Sequence, residues 1–152
     1  MATQNLTRLG GMHKKRDISV FTTVLDIADV TVLDITTSAD IYELFTLPDN
    51  GYVTKAEIFI LIANDAATSA VADLGFAGDD TLIDGANLKA VADTVEDAGT
   101  NAVVPQLAAT GGIVTLLPTY VGTPTVGKFL VNIEYTEIDK TDGELTVFST
   151  TV

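Results

Sequence analysis

The sequence predicts an all-β fold, an antiparallel sandwich or barrel with one short helix, preceded by an extended N-terminal arm. Three observations predict it. Runs rich in Val, Ile, Thr and Phe recur beyond residue 17. Turn clusters divide them at the spacing typical of sandwiches and barrels. The first 17 residues have neither feature, which sets the division into an arm, 1–17, and a β domain, 18–152. A chain of 152 residues is one domain's length and buries about two-thirds of its unfolded surface.

The arm, "TQNLTRLGGMHKKRD", has a diglycine, few apolar residues and no sustained period, so on its own it is expected to be mobile. Its charge opposes that of the rest of the chain. Half of the eight Lys and Arg residues (Arg8, Lys14, Lys15 and Arg16) fall within the first 16 positions, where no Asp or Glu stands. Residues 17–152 hold the other four basic residues and all 21 acids, a formal −17 (4 − 21) beside +4. A negative body argues against nucleic acid as the main ligand, because phosphate binding needs a basic face. A basic tail suits an acidic protein surface.

Strands are expected near 18–27, 30–36, 41–47, 52–63, 68–76, 102–108, 112–120, 127–138 and 144–151. The turns between them are "LPDNG" (47–51), "AND" (63–65), "AGDD" (77–80), "GG" (111–112), "VGTPTVG" (121–127) and "DKTDG" (139–143). In "GKFLVNIEYTEI", Phe129, Val131, Ile133 and Tyr135 alternate with Lys128, Asn132, Glu134 and Thr136, so one face meets a core and the other water. In "YVTKAEIFILIAN", Ala56, Ile58, Ile60 and Ile62 share an apolar face. The opposite face turns apolar at Phe59, Leu61 and Ala63, so its second half needs cover on both sides.

The helix is expected in "DGANLKAVADTVEDAG", where Leu88, Val91, Ala92 and Val95 recur at i, i+3, i+4 and i+7 between an N-capping Asp84 and a terminating Gly99. No apolar run approaches the roughly 20 residues of a membrane helix. The opening residues lack the apolar stretch of a secretory signal, so no export is expected.

Little in the sequence points to chemistry. The absence of cysteine excludes disulfides, thiolate metal sites and thiol nucleophiles. Asp73, Asp79, Asp80 and Asp84 cluster as calcium ligands do, yet their spacing lacks the alternating loop with a distal Glu, and a solvated turn is expected. A Ser-His-Asp site would need His13, in the arm, to meet Ser19, Ser38, Ser69 or Ser149. "VGTPTVGK" imitates a phosphate loop, but Phe129 stands where Ser or Thr is required, and a strand follows instead of a helix. No cofactor, metal or small-molecule substrate is expected, and no enzyme.

Three stretches in order, "ELFTLPDNGYVTKAEIFI", "ATSAVADLGFAGDDTLIDG" and "GIVTLLPTYVGTPTVGKFLVNIEY", resemble the capsid decoration, or cement, proteins of tailed phages over about residues 40–138. The resemblance lies in strand and turn style and brings no catalytic motif with it. It implies a jelly-roll-like β-sandwich that assembles as a homotrimer on the outer capsid surface. Such a protein is made in the host cytoplasm and stabilises the head by cementing neighbouring major capsid protein subunits. Independently, the apolar excess of "EIFILIAN", "GIVTLLPTYV" and "LTVFSTTV" predicts a protein partner. The expected contact residues are Arg8, Lys14, Lys15 and Arg16, with Ile18 and Val20 in "DISVF", a segment able to add a strand to an exposed edge. The contact would be with capsid protein or with a neighbouring subunit. The alternative is a jelly-roll module binding host glycans, with calcium at Asp79, Asp80 and Asp84.

Overall fold

The computed structural model describes residues 18–29, 31, 34–78, 80–97, 106–108 and 110–138. The four basic residues of the arm and the expected strand at 144–151 lie outside them. In chain order the strands are β1 (Ser19–Asp26), β2 (Tyr42–Leu47), β3 (Gly51–Ile62), β4 (Ser69–Phe76), β5 (Ile83–Asn87), β6 (Thr94–Asp97), β7 (Gln106–Ala108), β8 (Gly112–Val121) and β9 (Lys128–Glu137).

They form two antiparallel sheets. One runs β1-β9-β3-β6, with β7 also pairing with β3; the other runs β2-β8-β4-β5. Pairing is nested: β1 with β9, β2 with β8, β3 with β6 and β4 with β5, so chain ends pair outermost and the middle innermost. The sheets face each other across one apolar core, to which the first contributes Leu25, Val53, Ile58, Ile60, Phe129, Val131 and Ile133, and the second Leu47, Leu74, Ile83, Val114 and Leu116. The alternation of β9 is realised from Lys128 to Glu134, since Phe129, Val131 and Ile133 are buried and Lys128, Leu130, Asn132 and Glu134 are only half-buried; it is corrected at the end of the strand, where Tyr135 is half-buried and Thr136, expected to face water, is buried. Near one end the core gives way to an aromatic group, with Phe21 stacked on Phe45 at 4.3 Å and Tyr135 tilted 5.8 Å from Phe45.

The expected helix is corrected: among the described residues there is none, and its sequence supplies β5, a turn and β6. Long-range hydrogen bonds win over the local period. The Leu88 N–H donates to the Ala70 carbonyl, its carbonyl accepts from Asn64 N–H, and Asp93 N–H donates to Ile60. Asp93 itself has φ 68°, which no helix tolerates. Leu88 is buried while Val91 is 76% exposed, so the supposed stripe does not share a face.

The strand expected at 30–36 is corrected too at the residues described there, 31 and 34–36, which belong to no strand. Asp29 and Asp34 close side-chain turns by accepting from the N–H and hydroxyl of Thr31 and Thr36, the local competition with a sheet ladder that Asp and Thr favour. The strand at 102–108 is described only as Gln106–Ala108.

Candidate interaction surface

Directly opposed residues of an antiparallel sheet project to the same face, so register alone maps the outer surface of the first sheet. Val24 opposes Leu130, Leu130 opposes Phe59, and Phe59 opposes Val95. One apolar row therefore crosses four strands on the face turned away from the core. Val24 and Val95 are 45% and 44% exposed, and Leu130 and Phe59 are half-buried between them. Ile62, exposed beyond the bulge that leaves Leu61 as the extra residue of β3, widens the patch. Of the second apolar face expected in "EIFILIAN", Phe59 lies here; the bulge brings to the same side Ile62, expected on the face of Ala56, Ile58 and Ile60, and no described segment of the chain covers the patch.

The adjoining row is polar and self-satisfied. Thr22 donates its hydroxyl to Asn132 Oδ1 at 3.0 Å, Asn132 Nδ2 donates to Glu57 Oε2 at 3.3 Å, and Lys55 Nζ sits 2.8 Å from Glu57 Oε1. The hydrogen bond that Lys55 donates to Glu57 raises the pKa of Lys55. At the next edge, Lys128 pairs with Asp26 at 2.8 Å and holds that carboxyl below its ordinary range. Lys89 donates to the Ala66 carbonyl. Each described lysine is thus engaged within its own subunit.

Of the expected contact residues, the structure places Ile18 and Val20, 54% and 57% exposed, at the start of β1. Ile18 also lines a depression of about 580 Å³ with Tyr52, Lys55, Glu134, Thr136 and Ile138. Arg8, Lys14, Lys15 and Arg16 lie outside the described residues. Ser19, Val20 and Phe21 of "DISVF" join the molecule's own sheet as the start of β1, which pairs with β9 on one side.

The chemical alternatives find no assembled site among the described residues. No group of three or more His, Asp or Glu is placed to hold a metal. Asp73 accepts from Gly85 N–H at 2.8 Å, closing the bulge between β4 and β5, and Asp79 lies outside the described residues. Ser38 Oγ accepts from Tyr120 N–H at 2.9 Å, pinning its loop to β8, and His13 lies outside the described residues. The phosphate-loop imitation is a connection between β8 and β9, tied down by Asp65, which accepts from Thr125 and Val126 N–H at 2.7 and 2.9 Å. Sequence reasoning missed Asp65, whose only local signal was its place in the "AND" turn.

A cleft of about 470 Å³ is lined by Thr36, Thr37, Ser38, Tyr120, Gly122 and Thr123. The ring of Tyr120 is buried and its hydroxyl donates to the Ile35 carbonyl at 3.0 Å. Burial raises the Tyr120 pKa, so this hydroxyl stays protonated as a fixed donor.

No protein-family model and no curated protein matches the sequence. Among solved structures, the chain is similar to one in the acidic stable capsid structure of Helicobacter pylori bacteriophage KHP30. The TM-score is 0.56 at 13% identity, covering 80% of this chain and 89% of that one. The shared feature is the fold. It extends over most of both chains, so the likeness concerns the whole sandwich and not one hairpin.

Proposed function

We propose that this chain is a non-enzymatic virion protein of a tailed phage, which binds the outer capsid surface and cements neighbouring major capsid protein subunits. The observation that carries this reading is the likeness over nearly the whole fold to a chain in a phage capsid structure. Three features support it further. The nested strand order suits a jelly roll. The outer sheet face carries a transverse apolar row with nothing described to cover it, as a docking protein requires. The +4 of the first 16 residues stands against a −17 body, which gives the chain an anchor able to engage acidic protein.

A homotrimer would multiply modest contacts on symmetry-related shell sites into stable attachment. The glycan-binding alternative has the hydroxyl-lined cleft in its favour, but Tyr120, the aromatic residue there, is buried and offers no stacking platform. The deciding experiment is co-sedimentation with empty shells of the phage that encodes the chain. The intact protein is expected to bind at physiological salt and to weaken at high salt, while the variant lacking residues 1–16 folds but stays in the supernatant. Equal binding by both would remove the arm from the mechanism, and no binding by either would overturn the reading.

A further inference from the structure

The sheet edges of this molecule are not equally protected. β6 is four residues long and ends in Glu96 and Asp97; β2 carries a bulge beside Glu43; β5 carries one at Asp84 and Gly85. Short strands, charges and bulges are the usual guards against strand addition. β1 has none of them: eight residues in unbroken register with β9, from Ser19 opposite Tyr135 to Asp26 opposite Lys128, with no Pro, no Gly and no charge before Asp26.

The groups it offers can be named. Ile27 N–H donates to the carbonyl of Gly127 at 2.9 Å, and the register beyond it is regular. Backbone groups of successive residues point to opposite sides of a strand. The odd-numbered residues of β1 therefore bond β9, and the N–H and C=O of Val20, Thr22 and Val24 face the edge that no described strand pairs with. The same three side chains lie on the outer face, in line with the rows led by Glu134, Asn132 and Leu130.

We propose that this edge pairs antiparallel with β1 of a second copy of the chain, Thr22 against Thr22. In that register Val20 meets the partner's Val24 on both sides of the twofold, apolar against apolar, and the row Val95-Phe59-Leu130-Val24 continues across the boundary. Charge selects the same partner. In sequence, Lys14, Lys15 and Arg16 precede β1 with Asp17 and Ile18 between, a net positive approach, whereas Asp26 closes the strand and Asp29 and Asp34 follow it. Antiparallel pairing sets the end of β1 that the basic residues precede in sequence beside the partner's acidic end; parallel pairing would set like against like. The contact is isologous and self-limiting. In a homotrimer built through other surfaces it would link one trimer to the next. It does not depend on the identity of the shell.

The chain contains no cysteine, so an introduced one is its only thiol. Opposed Cα atoms in an antiparallel pair are about 5.5 Å apart, within disulfide reach. Under mild oxidation of the full chain, Thr22→Cys is expected to form disulfide-linked dimers at least about tenfold faster than Val91→Cys, an exposed control away from β1. Val20→Cys and Val24→Cys should cross-link efficiently only when mixed. Thr22→Lys, added to that mixture, should return the rate to the control level while circular dichroism stays unchanged. Cross-linking of Thr22→Cys no faster than the control would overturn the proposal. So would equal cross-linking of the Val20 and Val24 variants alone and mixed, or indifference to Thr22→Lys.

Discussion

Asp65 holds Thr125 at both of its donors: the N–H at 2.7 Å to Oδ1 and the hydroxyl at 2.6 Å to Oδ2. The two residues stand 60 positions apart, so this clamp joins the turn after β3 to the loop before β9. The Thr125 hydroxyl, with the Val126 and Thr125 N–H groups, lowers the Asp65 pKa from 3.8 to about 2. A depressed folded pKa stabilises the fold above the unfolded value and is lost as pH falls through the folded one. Asp65→Asn should therefore lower the melting temperature at pH 7. The gap to the parent should narrow below about pH 4 and close near pH 2, as read by thermal melts across that range. A gap independent of pH would show that the carboxylate charge contributes nothing.

Phe129 is among the largest fully buried side chains and lies between the sheets on β9, the strand shared by β1 and β3. Phe129→Ala removes its buried area and leaves a cavity that two hydrogen-bonded sheets cannot close. The expected loss is about 3–5 kcal/mol in denaturant unfolding. A loss under about 1 kcal/mol would mean that the core collapses around the site.

β9 was legible because one of its faces is core and the other is not, which makes the local alternation of Phe129, Val131 and Ile133 a true record of burial. The same logic failed at 84–97. β5 and β6 are too short to display a period, and the partners that hold their connection, Ala70, Asn64 and Ile60, are remote in sequence. Hydrophobic spacing cannot report a hydrogen bond to a distant strand. The apolar outer row was half legible. Phe59 and Leu61 signalled a second greasy face, but the alignment of Val24, Leu130 and Val95 with Phe59 is a property of register, which no single strand encodes.

Gly111 begins the "GG" turn at φ 65°, and a Cβ there would lie 2.6 Å from the Leu47 carbonyl oxygen. Two costs combine in Gly111→Ala: the left-handed backbone, about 1 kcal/mol or more, and displacement of the β2 end. Unfolding in urea should show a destabilisation of about 2 kcal/mol or more. Gly85→Ala, at φ 70° but with open space around it, should cost less. Equal effects would mean that the contact with Leu47 is relieved without cost.

Val95 and Ile62 sit on the outer face away from β1, both substantially exposed. Val95→Asp with Ile62→Asp places two charges on the apolar row without touching the core or the β1 edge. Stability should change by only about 0.5 kcal/mol per site. If the row is the docking surface, shell binding should fall at least tenfold, since each desolvated carboxylate without a partner costs about 1–3 kcal/mol. Co-sedimentation titrations of the double variant against the parent measure this, with Thr22→Cys cross-linking as an internal check that β1 pairing survives. Unaltered shell affinity would assign docking to another face of the sandwich and leave the row to contacts between copies.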